Sequence, residues 1–142
     1  MGFLDAVFGK KAEPPPLDPA GEAAARIAAF AGHLEEFARR VHVPLELVPA
    51  ADTVYVYLDK PPGAFGLVWF EGGREVNFTT LKEDQGLSQG RIQTLSRKLG
   101  AAYRKHAGAP RYAATIAGRE VLVTPSEALA GEIRKAIEEA VS

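Results

Sequence analysis

The sequence has no cysteine among its 142 residues. This absence excludes disulfide bonds, thiolate catalysis and metal centres with cysteine ligands. No apolar run comes near the roughly 18 residues of a membrane-spanning helix, and Lys10 and Lys11 follow the first apolar stretch, whereas a secretory signal carries its basic residues in front. The net charge is only −1, so the chain has no overall attraction for nucleic acid or membranes. We therefore expect a cytoplasmic protein.

Apolar residues make up 46% of the chain and charged residues 25%, which are ordinary values for one globular domain. Residues 14–16 are three consecutive prolines, which favour an extended polyproline II segment and forbid a helix. We therefore divide the chain into an amphipathic arm with a Pro-rich linker, residues 1–17, and a single domain, residues 18–142.

The arm carries large apolar residues on one predicted helical face, namely Phe3, Leu4, Val7 and Phe8. Such a face is unfavourable in water, so we expect it to bind the same chain, a dimer mate or a membrane surface. A protein surface is favoured, because the two adjacent lysines are a weak attraction for anionic lipid.

Three amphipathic helices are predicted. The first begins at Asp18, a favourable N-cap, and carries an apolar stripe at positions 27, 30, 34, 37 and 41. The second begins near Ser88 and stops at Gly108. The third begins in the segment 124–127, Thr-Pro-Ser-Glu, which matches a capping box with proline at the first helical position.

Six short segments have the composition and alternation of strands: 43–48, 53–58, 65–71, 74–81, 111–117 and 119–124. Gly72-Gly73 and Ala117-Gly118 are typical two-residue hairpin turns. The element order is therefore α-β-β-β-β-α-β-β-α. Because hairpins pair their strands antiparallel, we predict an α+β fold with an antiparallel sheet of five or six strands and three helices mainly on one face.

The central strands carry more apolar surface than one covered face requires. Two explanations stay open: helices of the same chain cover the second face, or a dimer mate or another partner does. Tyrosine and tryptophan are enriched at interfaces, which favours the second explanation somewhat. The candidate partner-binding residues on these strands are Tyr55, Tyr57, Phe65, Leu67 and Trp69.

The predicted helix 88–107 is basic, and no acidic residue occurs between Gln85 and Arg111. Its candidate anion-binding or nucleic-acid-binding residues are Arg91, Arg97, Lys98, Arg104 and Lys105. The alternative is a solvated face whose partners are acids elsewhere, for which the segment 52–84 offers six carboxylates.

No catalytic or cofactor signature is present. The segment GLSQGR (86–91) lacks the spacing of a phosphate-binding loop. His33 and Glu36 have a spacing that can bind metal in helical bundles, but the sequence offers no second such pair. We predict no metal, no cofactor and no enzymatic activity, with an enzyme of an unrecognised class as an alternative.

The order of predicted elements over residues 18–142 resembles the class I type III secretion chaperones. It includes the helix-to-strand pattern of HLEEFARRVHVPLEL (33–47) and the helix LSQGRIQTLSRKLGAAYRK (87–105). The resemblance implies a small cytosolic, non-enzymatic homodimer that holds an extended peptide of a client. The N-terminal arm and the nearly neutral charge are not typical of that family. The leading functional hypothesis is thus a non-catalytic, chaperone-like protein that binds a protein partner, and the alternative is a nucleic-acid-binding domain.

Overall fold

The computed structural model describes residues 14–61 and 63–142. The arm residues Phe3, Leu4, Val7 and Phe8 lie outside the described residues. The helices are α1 (Glu22–Ala28), α2 (Ala31–Arg40), α3 (Phe78–Gln85), α4 (Gln89–Lys105) and α5 (Glu127–Val141). The strands are β1 (Leu45–Pro49), β2 (Val54–Asp59), β3 (Phe65–Glu71), β4 (Arg74–Asn77), β5 (Tyr112–Ile116) and β6 (Arg119–Val123). The predicted α+β class and the six-stranded sheet are confirmed.

The sheet is mixed, so the prediction of a purely antiparallel sheet is wrong in one place. The strand order is β4-β3-β2-β1-β6-β5, and β1 pairs with β6 in parallel while the other neighbours are antiparallel. Both predicted hairpins form, with Gly72 and Gly73 at φ +57° and +75° and Ala117 and Gly118 at φ +53° and +78°. The chain leaves β4, passes through α3 and α4, and returns as the β5–β6 hairpin on the far side of β1.

Helices cover both faces of the sheet, and not mainly one face as predicted. On one face, α1 and α2 pack on a cluster of aliphatic residues with Phe70. On the other face, α3, α4 and α5 pack on Tyr55, Tyr57, Leu67 and Trp69. The apolar character of both faces of β2 and β3 follows directly, since each face belongs to a hydrophobic core.

Three local elements differ from the predictions. The first predicted helix is broken into α1 and α2 at positions 29–30, where Phe30 leaves helical geometry with φ −116° and ψ 20° although neither residue is a helix breaker. The predicted strand 74–81 ends at Asn77, because the Asn77 side chain caps α3 and forms a reciprocal capping box with Thr80. The N-cap of α5 is Ser126, whose hydroxyl accepts from the Leu129 N–H, whereas Thr124 is buried before the helix.

Candidate functional site

The predicted partner-binding face of the sheet is core. Tyr55, Tyr57, Leu67 and Trp69 are each at most 3% exposed, and Phe65 is half-buried against the same cluster. The helices α4 and α5 of the same chain cover them, because their apolar stripes supply Leu95, Leu99 and Ile133 to this face, among others. The explanation by the chain's own helices is therefore correct, and these residues do not form an open partner surface.

The basic side chains of α4 lie beside α5, which runs antiparallel to it. Lys98 pairs with Glu139 at 2.7 Å, and Lys105 pairs with Glu132 at 3.1 Å. Each of these acidic side chains therefore has a pKa lowered by its partners: Glu139 by the hydrogen bond from Lys98, and Glu132 chiefly by that from His106. The carboxylates come from α5 and not from the segment 52–84.

The arginines of α4 fall into two groups. Arg91 donates to the Ala140 and Ser142 carbonyl oxygens and so satisfies the C-terminal end of α5. Arg97 and Arg104 are exposed and form no ion pair within the described part of the chain. The stripe is thus partly neutralised. A cleft of about 400 Å³ between α4 and α5 lies beside it, and its lining includes Glu139 as well as Arg91 and Lys98, so a carboxylate stands among the cations that a phosphate would meet.

A buried polar cluster lies between β1 and the C-terminal end of α4. The Glu46 carboxylate, whose residue is 5% exposed, accepts from the Tyr103 hydroxyl at 2.6 Å, Arg111 Nε at 2.8 Å and the Thr124 hydroxyl at 2.6 Å. Burial, followed by the hydrogen bond with Glu46, raises the pKa of the Tyr103 hydroxyl. The sequence carries one signal for this cluster, since Glu46 is the charged residue in the otherwise apolar strand LELVP. The signal alone does not indicate that Glu46 is buried or what binds it.

The polar groups of this cluster bond to one another and to nearby backbone carbonyl oxygens. Both Glu46 oxygens are occupied, and the Arg111 guanidinium also donates to the Ala107 and Ala109 carbonyl oxygens. A buried carboxylate whose hydrogen-bond donors all come from the same chain acts as a structural element, since both of its oxygens are already engaged. We therefore assign the cluster to the attachment of α4 and β5 to the sheet.

A second polar feature is a cleft of about 500 Å³ between the C-terminal end of α5 and the ends of β2 and β3. Its polar groups also pair with one another, since Arg134 binds Asp52 and the Trp69 indole N–H donates to Glu71 at 3.0 Å. Burial raises the pKa of the Tyr55 hydroxyl at its base. The arrangement holds no nucleophile beside a general base, so it gives no support to catalysis.

The two edges of the sheet differ in chemistry. The edge strand β4 is short and charged, with Arg74 paired to Asp84 and Glu75 paired to Arg40. The edge strand β5, Tyr-Ala-Ala-Thr-Ile, carries no charge. Charged side chains protect an edge from pairing with another chain, and an uncharged edge lacks that protection.

The Pro-rich linker pairs with part of the β5 edge. Pro16 forms a parallel bridge with Ala113, whose N–H donates to the Pro15 oxygen and whose oxygen accepts from the Leu17 N–H, both at 2.8 Å. Because alternate residues of a strand present their backbone groups to the same side, Thr115 faces the same open edge. Among the described residues, Thr115 has no backbone partner on that side.

An apolar groove of about 360 Å³ runs beside this open edge. We call it the edge groove and define it by Leu17 of the linker, Ala24, Ile27 and Ala28 of α1, and Ala114 and Ile116 of β5. Ile27 is buried, Ala28 is exposed, and the others are intermediate. Sequence reasoning missed this groove, because no single segment of the chain contains more than three of its residues.

His33, the candidate metal ligand of the sequence, lies on the core of the described structure. His33 stacks on Phe70 with ring centroids 5.6 Å apart, so it packs on the core rather than pairing with Glu36 around a metal. Within residues 14–61 and 63–142, no three His, Asp or Glu side chains cluster as metal ligands, and no helix is long and apolar enough to cross a membrane.

Comparisons with protein-family models, with curated proteins and with solved structures found no match to this chain.

Proposed function

We propose that this chain is a non-catalytic cytoplasmic protein that binds an extended segment of a protein partner along the edge strand β5. The observation that carries the proposal is the pairing of the linker with Ala113, because it supplies one extended segment already bound to this edge. Addition of a strand to an exposed edge is a common mode of peptide recognition, in which backbone hydrogen bonds give affinity and adjacent pockets select side chains.

The edge groove supplies the second half of such a site. Among the described residues, no backbone group pairs with Thr115 on this side, so its N–H and C=O can meet an incoming backbone. Ile27, Ala28 and Ile116 offer apolar contact to the side chains of that segment. We therefore expect a partner segment that is uncharged at alternate positions and carries an aliphatic or aromatic residue opposite Ile116. The resemblance to secretion chaperones implies the same kind of ligand, an extended peptide.

Selection from a displayed library of random peptides tests the proposal. Peptides enriched on the full-length protein should bind Thr115→Pro about tenfold more weakly, because proline removes the open N–H, and a loss of about 1.4 kcal/mol is a factor of ten. Thr115→Val keeps the backbone donor and should bind like the unaltered chain.

A second pair of variants tests the groove. Ala28→Asp places a charge on its exposed wall and should abolish binding, whereas Ala25→Asp adds the same charge to an exposed position of α1 that does not line the groove. If no peptide is enriched, or if Ala28→Asp and Ala25→Asp bind the selected peptides equally well, the proposal is wrong.

Homodimerisation stays a prediction. The buried sheet face no longer offers a reason for it, so a dimer would have to form through another surface, such as the open β5 edge. Light scattering measures the mass directly, and a monomer at high concentration would contradict the prediction without affecting the peptide-binding proposal.

A further inference from the structure

The edge groove lies close to the point at which residues 1–13 join the described chain. Pro15 is fixed to the Ala113 N–H at one end of the groove, and Ile116 lies three positions farther along the same strand. At about 3.3 Å per residue, these three positions correspond to roughly 10 Å. Because the Pro16–Ala113 bridge is parallel, Pro14 lies toward the N-terminal end of β5, and the chain before it has to turn back along the strand to reach Ile116.

The length of the preceding chain suffices to return to the groove. Five residues, 9–13, separate Phe8 from Pro14. At about 3.3–3.6 Å per residue an extended chain covers roughly 20 Å over those six steps. Pro14 lies two positions before the Pro16–Ala113 bridge, so Ile116 is five strand positions away, or roughly 17 Å, which is within this reach. The proline linker starts at a fixed point, so the search volume of the arm is small and its effective concentration near the groove is high.

The composition of the arm complements the groove. Phe3, Leu4, Val7 and Phe8 form the apolar pattern, and Lys10 and Lys11 lie between that pattern and the linker. At the groove, Glu35 of α2 is half-exposed, and its nearest described cation is Arg39 at 4.0 Å. An apolar segment followed by two cations thus fits an apolar groove with a carboxylate at its border.

We propose that residues 3–8 of the same chain occupy the edge groove and compete there with a partner's segment. The docking is supported by the apolar groove, by the length of the chain before Pro14 and by the residues of the arm, whereas the competition rests on the proposed function. A bound arm would act as an internal occupant that a partner has to displace, so its removal would raise the apparent affinity for a partner.

A spin label tests the docking. The chain has no cysteine, so Gly2→Cys creates a single labelling position in the full-length protein. We expect paramagnetic broadening of amide signals from Ala24, Ile27, Ala114 and Ile116. The broadening should vanish when Phe3→Asp and Phe8→Asp are introduced together, and it should persist in the matched control Ala6→Asp, which adds charge on the other predicted face of the arm.

Two further results decide the identity of the occupant. Unlabelled ¹⁵N protein mixed with spin-labelled ¹⁴N protein should show no broadening in the groove. If it does, the occupant is the arm of a second copy and the intramolecular proposal is overturned. If the labelled chain itself shows no broadening in the groove, the docking proposal is overturned whether or not library peptides bind.

The competition has its own measurement. If the arm fills the groove in nine molecules of ten, Phe3→Asp with Phe8→Asp should tighten binding of a selected peptide about tenfold, and Ala6→Asp should leave it unchanged. Unchanged affinity in the double variant, together with clear broadening in the labelled chain, would overturn the competition and leave the docking in place.

Discussion

The replacement of Arg111 by methionine is the sharpest test of the buried polar cluster. It keeps most of the apolar stem and removes the charge that faces Glu46 at 2.8 Å. The side chains of Glu46 and Arg111 are 6% and 20% exposed, so water screens this pair far less than a surface pair. Removal of one partner from a buried ion pair costs about 3–5 kcal/mol, because the other charge stays buried without compensation.

The structure places the expected loss toward the lower end of that range. Glu46 keeps two hydroxyl donors, Tyr103 and Thr124, in the variant. Two backbone carbonyl oxygens at the end of α4 lose their donor, which adds about 1 kcal/mol. We therefore expect a loss of about 3–4 kcal/mol. For a chain of this size the loss corresponds to a fall in Tm of roughly 10–15 °C.

Urea denaturation measures the loss, and a double-mutant cycle identifies its cause. In the unaltered chain, Glu46→Gln should destabilise, because it removes the charge that Arg111 requires. In the Arg111→Met background the same change should stabilise, because it removes the uncompensated buried charge while the amide oxygen accepts from one hydroxyl and the amide NH2 donates to the other. The control is Arg104→Met, an exposed change on α4, with an effect within about 0.5 kcal/mol. A loss below about 1 kcal/mol for Arg111→Met, or the same sign for Glu46→Gln in both backgrounds, would refute the reasoning.

Three further predictions concern stability. Arg119→Met should cost about 1.5–3 kcal/mol in urea denaturation, because Arg119 donates to the carbonyl oxygens of Ala38, in the last turn of α2, and of Val41 and Val43, which follow it; a loss no greater than that of an exposed arginine would contradict this. Ser126→Ala should lower the free energy of unfolding by about 1 kcal/mol, because it removes the N-cap of α5. An unchanged midpoint of urea denaturation would mean that Thr124, and not Ser126, caps the helix. Burial raises the pKa of the Tyr57 hydroxyl, so unfolded Tyr57 ionises first and stability should fall as the pH rises above about 10. Thermal denaturation across this pH range measures the effect. The Tm of Tyr57→Phe should fall less than the Tm of the unaltered chain, and an equal fall would exclude Tyr57 as the cause.

The residues that locally specify helices and turns were recognisable in the sequence. Gly72-Gly73 predicts the first hairpin, because glycine adopts positive φ at both positions without strain. At Ala117-Gly118 only the glycine does so freely, and Ala117 takes the less favourable left-handed conformation. Ser88 predicts the start of α4, where its hydroxyl accepts from the Arg91 N–H. Such signals act within three or four residues, so the turn or helix start that they specify does not depend on contacts with distant parts of the chain.

The errors occur where local and distant preferences compete. Thr124 is a good capping residue, but Glu46 lies 78 positions away in sequence and takes its hydroxyl, so Ser126 becomes the cap. Asn77 lies in a segment with strand-like alternation, and its side chain nevertheless starts a helix with Thr80. In both cases the sequence contains each competing option, and packing selects one of them.

By itself, the sequence determined the class of the fold, the approximate strands, and the fact that β2 and β3 are apolar on both faces, because composition and period are properties of short segments. Only the tertiary structure decided what lies on those faces. It put α1 and α2 on one side and α4 and α5 on the other, so Tyr57 and Trp69 became core. It also formed the edge groove from three separate segments around Leu17, Ile27 and Ile116, since a groove exists only after those segments have packed together.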